Sequence, residues 1–145
     1  PGVSSFCGAA AALRAEYTLP DVSQTVIITR MAGRTPVPEK ESIAALAAHN
    51  ATMVIFLSTG FLKELSAELI RGGYKPDTPA AIVYKASWAD QKVCRCTVED
   101  LAQTASDNGI TKTALICVGY FLGNDYSLSK LYDKSFETEF RKAEI

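Results

Sequence analysis

Thr52-Met53-Val54-Ile55-Phe56-Leu57-Ser58 is an almost unbroken apolar run. A strand with one wet face alternates apolar and polar residues. A continuous run must bury both faces, as an inner parallel strand between helices does. Downstream, the 60–71 segment places Leu62, Leu65, Leu69 and Ile70 on one side of a helix that Gly72-Gly73 closes. Upstream, the 23–29 segment (SQTVIIT) is rich in β-branched residues and reads as a second strand. The 39–50 segment between the two strands reads as a helix opened by Pro38 and acidic first-turn residues. Strand, helix, strand, helix is the alternation of an α/β fold.

The remaining segments extend that pattern. Ser4 and Ser5 can cap a first, alanine-rich helix over 6–14. A strand over 80–85, a short loop and a 91–97 strand predict an antiparallel pair. A helix over 98–108 ends at Gly109, the 113–118 run (TALICV) is the last apolar strand, and a final helix is expected over 130–141. The expectation is an α/β fold with a mixed sheet of about five strands flanked by helices, forming one domain over residues 1–145.

A chain of 145 residues buries about two-thirds of its unfolded surface. The net charge is -1, with both signs interspersed and no basic stripe, which argues against a nucleic-acid partner. The apolar runs are far too short to span a bilayer, and no signal-peptide pattern is seen. The cysteines at 7, 94, 96 and 117 accompany a single histidine, His49, so no zinc-spaced ligand set can be written. Reduced, structural thiols in a cytoplasmic protein are expected. The sequence begins Pro1-Gly2 instead of Met and is expected to be a fragment of a longer protein.

The loop Thr29-Arg30-Met31-Ala32-Gly33-Arg34-Thr35-Pro36-Val37-Pro38 follows a strand, where open α/β sheets bind ligands. Two guanidiniums there suit the carboxylates or phosphates of a small molecule. A solvated loop whose arginines pair with nearby acids fits the same residues. Neither a GxGxxG motif nor a P-loop is present. His49 ends a predicted helix, where a cation is favourable, and no Ser-His-Asp set stands out. Trp88 and Asp90 occupy a loop that a simple hairpin turn explains equally well. Pro1-Gly2-Val3-Ser4-Ser5 offers hydroxyls and backbone N–H groups to an anion, or an ordinary helix cap.

Several of these motifs, in this order, resemble the second domain of the tetrapyrrole methylases. They are Pro1-Gly2-Val3-Ser4-Ser5 before an alanine-rich helix, Val54-Ile55-Phe56-Leu57-Ser58 before a leucine-rich helix, and Pro76-Asp77-Thr78-Pro79-Ala80-Ala81-Ile82-Val83. Tyr84-Lys85-Ala86-Ser87, the Gln91-Lys92-Val93 strand and Thr113-Ala114-Leu115-Ile116-Cys117-Val118-Gly119 complete the set, which covers essentially the whole chain. The loop from Thr29 to Pro38 is similar to that of the branch acting on carbon 11 of precorrin-4 or cobalt-precorrin-4 in cobalamin synthesis.

The resemblance implies a methyltransferase that takes its methyl group from S-adenosylmethionine, held between two domains, and commonly works as a homodimer. By motif position, Ser4, Ser5, Leu57, Ala86 and Ala114 would line the cofactor, largely through backbone atoms. Arg30, Met31, Gly33 and Arg34 would face the precorrin, with the arginines on its carboxylates. No metal site and no catalytic residue is implied. Leu57, Ala86 and Ser87 stand where relatives often have Met, Gly and Thr, so the resemblance supports the pocket more than any specific hydrogen bond. The resemblance implies that the family's glycine- and aspartate-bearing first domain would lie upstream of this sequence, making it a C-terminal fragment that alone is expected to bind cofactor weakly and not turn over. The alternatives are a non-catalytic α/β ligand-binding module and another methylase of the superfamily, such as the uroporphyrinogen-III type.

Overall fold

The computed structural model describes residues 2–56, 59–125, 127, 133–137, 139, 140 and 142. Five strands form one sheet in the order β1-β2-β5-β3-β4. They are β1 (Val26–Arg30), β2 (Thr52–Phe56), β3 (Pro79–Tyr84), β4 (Lys92–Thr97) and β5 (Ala114–Val118). β1 and β2 pair in parallel, Ile28 opposite Val54. β5 lies antiparallel between β2 and β3, pairing Ile55 with Ile116 and Ile82 with Ile116. β3 and β4 form the expected antiparallel pair, Ile82 opposite Cys94. The sheet is therefore mixed, as its apolar runs and hairpin predict.

Burial follows the sequence pattern. Met53, Val54 and Ile55 of β2 are fully buried, and β5 is buried throughout. On one face α2 (Ile43–Ala47), α3 (Leu62–Gly72) and α4 (Leu101–Asp107) place Ile43, Leu65, Leu69 and Leu101 over Met53, Ile55, Ile82 and Ile116. On the other face, among the described residues, α1 (Ser5–Leu13) and the turn at Phe121 and Leu122 cover Val54, Val83, Leu115 and Cys117. Tyr17 ties this second layer together. Its hydroxyl donates to the Phe6 carbonyl at 2.7 Å, its ring meets Phe121 edge-on at 5.2 Å, and its carbonyl accepts from the buried Thr52 hydroxyl at 2.7 Å.

Several boundaries differ from expectation for local reasons. The first strand begins at Val26, because the Ser23 hydroxyl closes a turn onto the Thr25 carbonyl at 2.8 Å. The expected 39–50 helix divides into one tight turn, Glu39–Glu41, and α2. Ser42 is extended between them and accepts the Ala45 N–H on its side chain, so the true cap lies inside the predicted helix. α4 starts at Leu101, after Thr97 and Asp100 close a side-chain bond at 2.8 Å. The final helix expected over 130–141 falls largely outside the described residues.

Candidate functional site

Chain direction gathers the loops. β1, β2 and β3 run one way, while β4 and β5 return. The exits of the first three strands and the entrance to β5 therefore share one end of the sheet, where α/β folds bind ligands. At that end the Lys85 N–H donates to the Thr113 carbonyl at 2.9 Å. α1 brings its N-terminal half to the same place, since a Cβ on Gly8 would lie 3.5 Å from that of Ala86. Its C-terminal end sits at the far end, where the Leu13 carbonyl accepts from Arg95, opposite Ala81.

Ser4, Ser5, Ala86, Ala114 and the 30–34 loop thus come to one end of the sheet. Leu57, expected beside them, lies outside the described residues. Ser4 is the N-cap of α1, yet its side chain makes no capping bond. The Cys7 N–H is bonded instead to the Ser4 carbonyl at 3.0 Å. The expected hydroxyl cap is corrected accordingly, and Ser4 is exposed with no side-chain hydrogen bond among the described residues. Ala86 is half-buried against the α1 layer, whereas the Ala114 methyl packs into the opposite layer with α3 and α4. The two share an end but not a face, so Ala114 can meet a ligand on the α1 side only through its backbone.

The two arginines do different things. Arg30, the last residue of β1, donates to the carbonyls of Pro36 at 2.9 Å, Thr35 at 3.2 Å and Met31 at 3.4 Å. Three of its five N–H donors close its own loop, and the other two have no acceptor among the described residues. Arg34 is exposed and has no hydrogen bond or ion pair among the described residues. Met31 packs against the core below, and a Cβ on Gly33 would lie 3.7 Å from the ring of Phe61, itself 44% exposed. The loop is a shaped arch in which Arg34 is unpaired among the described residues.

The β3–β4 turn is built from conformations that composition does not announce. Lys85 (φ 46°), Ser87 (φ 72°) and, across the hydrogen bond, Thr113 (φ 58°) are all left-handed. The Lys85 ammonium pairs with Asp90 at 2.5 Å and lies 5.0 and 5.2 Å from the Tyr84 and Trp88 ring centroids. The hydrogen bond from Lys85 holds the Asp90 carboxyl below its usual range, and the same bond raises the lysine.

Reactive groups elsewhere are not assembled. Among the described residues no three His, Cys, Asp or Glu side chains are grouped to hold a metal. Burial pushes the Cys117 thiol up to about 12 and Cys96 to about 11, so neither is a ready nucleophile. His49 is exposed beyond α2, beside Ser23 and Asn50 at the far end of the sheet. No described helix is long and apolar enough to cross a membrane.

The sequence model of the tetrapyrrole (corrin/porphyrin) methylases matches residues 1–102. The chain belongs to that family. Among its relatives, the cobalt-precorrin-4 C(11)-methyltransferase of Methanocaldococcus jannaschii is 55% identical over 144 residues, covering 99% of this chain and 56% of the relative. The X-ray structure of a cobalt precorrin-4 methyltransferase superposes with a TM-score of 0.83 at 49% identity, covering 86% of this chain and 52% of that one. The uroporphyrin-III C-methyl transferase of Thermus thermophilus, solved with S-adenosyl homocysteine, shares the fold at TM-score 0.63 and 19% identity, covering 85% of this chain and 50% of its own. The chain spans a little over half the length of the curated relative, at 56%. The expectations of an α/β fold with a mixed five-stranded sheet and of a tetrapyrrole methylase are borne out.

Proposed function

We propose that this chain serves in methyl transfer from S-adenosylmethionine to carbon 11 of a precorrin-4 ring, with cobalt-precorrin-4 as the first substrate to test. What supports the reading most directly is the convergence at one sheet end of an N-cap serine whose hydroxyl makes no capping bond, the Ala86–Ser87 turn, and an arch whose Arg34 has no partner among the described residues. The 55% identity to a relative named for that reaction points the same way.

The donor, when bound, supplies a methyl group on a sulfonium centre. The residues present fit such a molecule. The open Ser4 hydroxyl and first-turn N–H groups suit its amino-acid or ribose oxygens, and the backbone of Ala86, Ser87 and Ala114 suits adenosine. Arg34 and the two spare donors of Arg30 suit ring carboxylates. The task of such a site is to hold a ring carbon in line with the methyl group and to keep water out. No residue is assigned as a general base. The same reading carries a homodimer in the cytoplasm.

The test is transfer of labelled methyl to cobalt-precorrin-4 and precorrin-4 by the protein as its gene encodes it. Arg34→Ala should raise the precorrin KM about tenfold or more, the worth of one charge-assisted pair. Its S-adenosylhomocysteine Kd should stay within about twofold. An unchanged precorrin KM would remove the arginine role. Absence of transfer to either ring, with ligand binding retained, would favour a non-catalytic binding module.

A further inference from the structure

The β3–β4 turn is held by a side chain to which methyl transfer gives no role. Lysines usually extend their ammonium into water. The Lys85 side chain is only 22% exposed, its ammonium set against two aromatic rings and bonded to Asp90. The backbone it anchors is one that non-glycine residues avoid. Six described non-glycine residues have positive φ, and three of them, Lys85, Ser87 and Thr113, meet at this end of the sheet. Arg14, by contrast, merely caps a helix end.

Four further bonds fix the turn. Lys85 N–H meets the Thr113 carbonyl at 2.9 Å, Trp88 N–H the Lys85 carbonyl at 3.0 Å, and Gln91 N–H the Trp88 carbonyl at 3.1 Å. Ser87 N–H donates to the Gln91 side chain at 2.7 Å. A strained backbone persists only where its surroundings over-determine it, and such strain collects at ligand sites. Trp88 is 59% exposed, yet its ring stays over the ammonium instead of folding onto the core.

We infer that Lys85 is a positioning residue for the methyl donor: its ammonium, gripping Asp90, Tyr84 and Trp88, locks the Ala86–Ser87 backbone in the shape that meets adenosine. This rests on the methyl-transfer reading. Lys85 touches no reacting atom. It acts through the turn.

The experiment is calorimetric titration of S-adenosylhomocysteine into the protein as encoded, comparing wild type, Lys85→Met, Lys85→Arg and Asp90→Asn at low and high salt. Lys85→Met should weaken binding about tenfold, as the turn relaxes away from its strained shape before each binding event. Lys85→Arg should recover most of that loss, because a guanidinium also pairs with a carboxylate and stacks on rings. A merely structural lysine would show no such rescue at an unchanged melting temperature. Asp90→Asn, a surface change that leaves the core intact, should weaken binding and reduce its salt dependence, and it keeps the test open if Lys85→Met does not fold. Binding within about twofold of wild type in both Lys85→Met and Asp90→Asn overturns the inference and leaves methyl transfer standing. Failure of the wild type to bind overturns both.

Discussion

Replacing Gly72 with alanine should destabilise the fold, although alanine is the better helix former. Gly72 is the last residue of α3, where that helix crosses α2. A Cβ there would stand 2.5 Å from the Ala44 carbonyl oxygen, 2.5 Å from the Ala47 Cβ and 2.9 Å from the Ala44 Cα. All three are backbone or Cβ atoms, so no side chain can swing aside. Ordinary contact begins near 3.4 Å, which asks the helices to part by about 1 Å. Overpacking of this kind costs about 1–3 kcal/mol, here toward the upper end because the clash is with backbone. Helix propensity returns at most about 1 kcal/mol. The net expectation is a loss of about 2 kcal/mol, or roughly 4–8 °C in melting temperature at this size. Urea unfolding followed by circular dichroism should show a lower midpoint at unchanged slope. Gly60→Ala is the control, with nothing within 4 Å of its Cβ, and should be neutral or slightly stabilising. A Gly72→Ala protein as stable as wild type would refute the reasoning.

Thr52→Val keeps shape but strands the Tyr17 carbonyl, which accepts the Thr52 hydroxyl at 2.7 Å in the core, so urea unfolding should register a loss of about 1–3 kcal/mol. Alkaline pH should destabilise the protein. Unfolded Cys117 ionises near its ordinary 9.0 while burial holds the folded thiol near 12, so its contribution is complete below about pH 9 and is lost as pH rises toward 12. The slope for that thiol approaches 1.4 kcal/mol per pH unit at most, and denaturation curves from about pH 8 to 11 should flatten in Cys117→Val. A Cys117→Val slope equal to wild type would count against this assignment, while Tyr17 and Tyr74, also raised by burial, keep some slope in either protein. Arg30→Lys removes the fork that bonds three loop carbonyls, and proteolysis between residues 31 and 38 should accelerate several-fold while global stability stays within about 1 kcal/mol.

The fold was legible where burial itself writes the pattern. β2 and β5 read as unbroken apolar runs because each is covered on both faces, and α3 reads as a helix because only one of its faces is. Strand order was not legible. Nothing in Ala114–Val118 says that it inserts antiparallel between β2 and β3, because an inner strand looks alike whichever way its neighbours run. Boundaries slipped where a hydroxyl diverts the backbone, as at Ser23 and Ser42. A serine of this kind caps a helix or closes a turn according to the conformation of the next few residues.

The candidate site shows the same division more sharply. Which segments meet was readable, because strand ends and loops are marked by composition and a family's motifs keep their order. What each side chain does there was not. Arg30 and Arg34 lie on either side of Gly33 in similar chemical settings in sequence, yet one is drawn back onto its own loop carbonyls and the other has no partner among the described residues. That choice depends on how the loop folds back to bring the Thr35 and Pro36 carbonyls within reach of the Arg30 guanidinium. Lys85 is plainer still. No glycine or asparagine marks the left-handed turn, so its strain and the clamp that holds it exist only once Tyr84, Trp88, Asp90 and Thr113 are brought together. Sequence therefore marked the Arg30–Arg34 arch through its charge, and it named Ala86, Trp88 and Asp90 in the β3–β4 turn without the conformation or the Lys85 contacts that shape that turn. The arch is made of residues that name their chemistry, whereas the turn is made of a conformation.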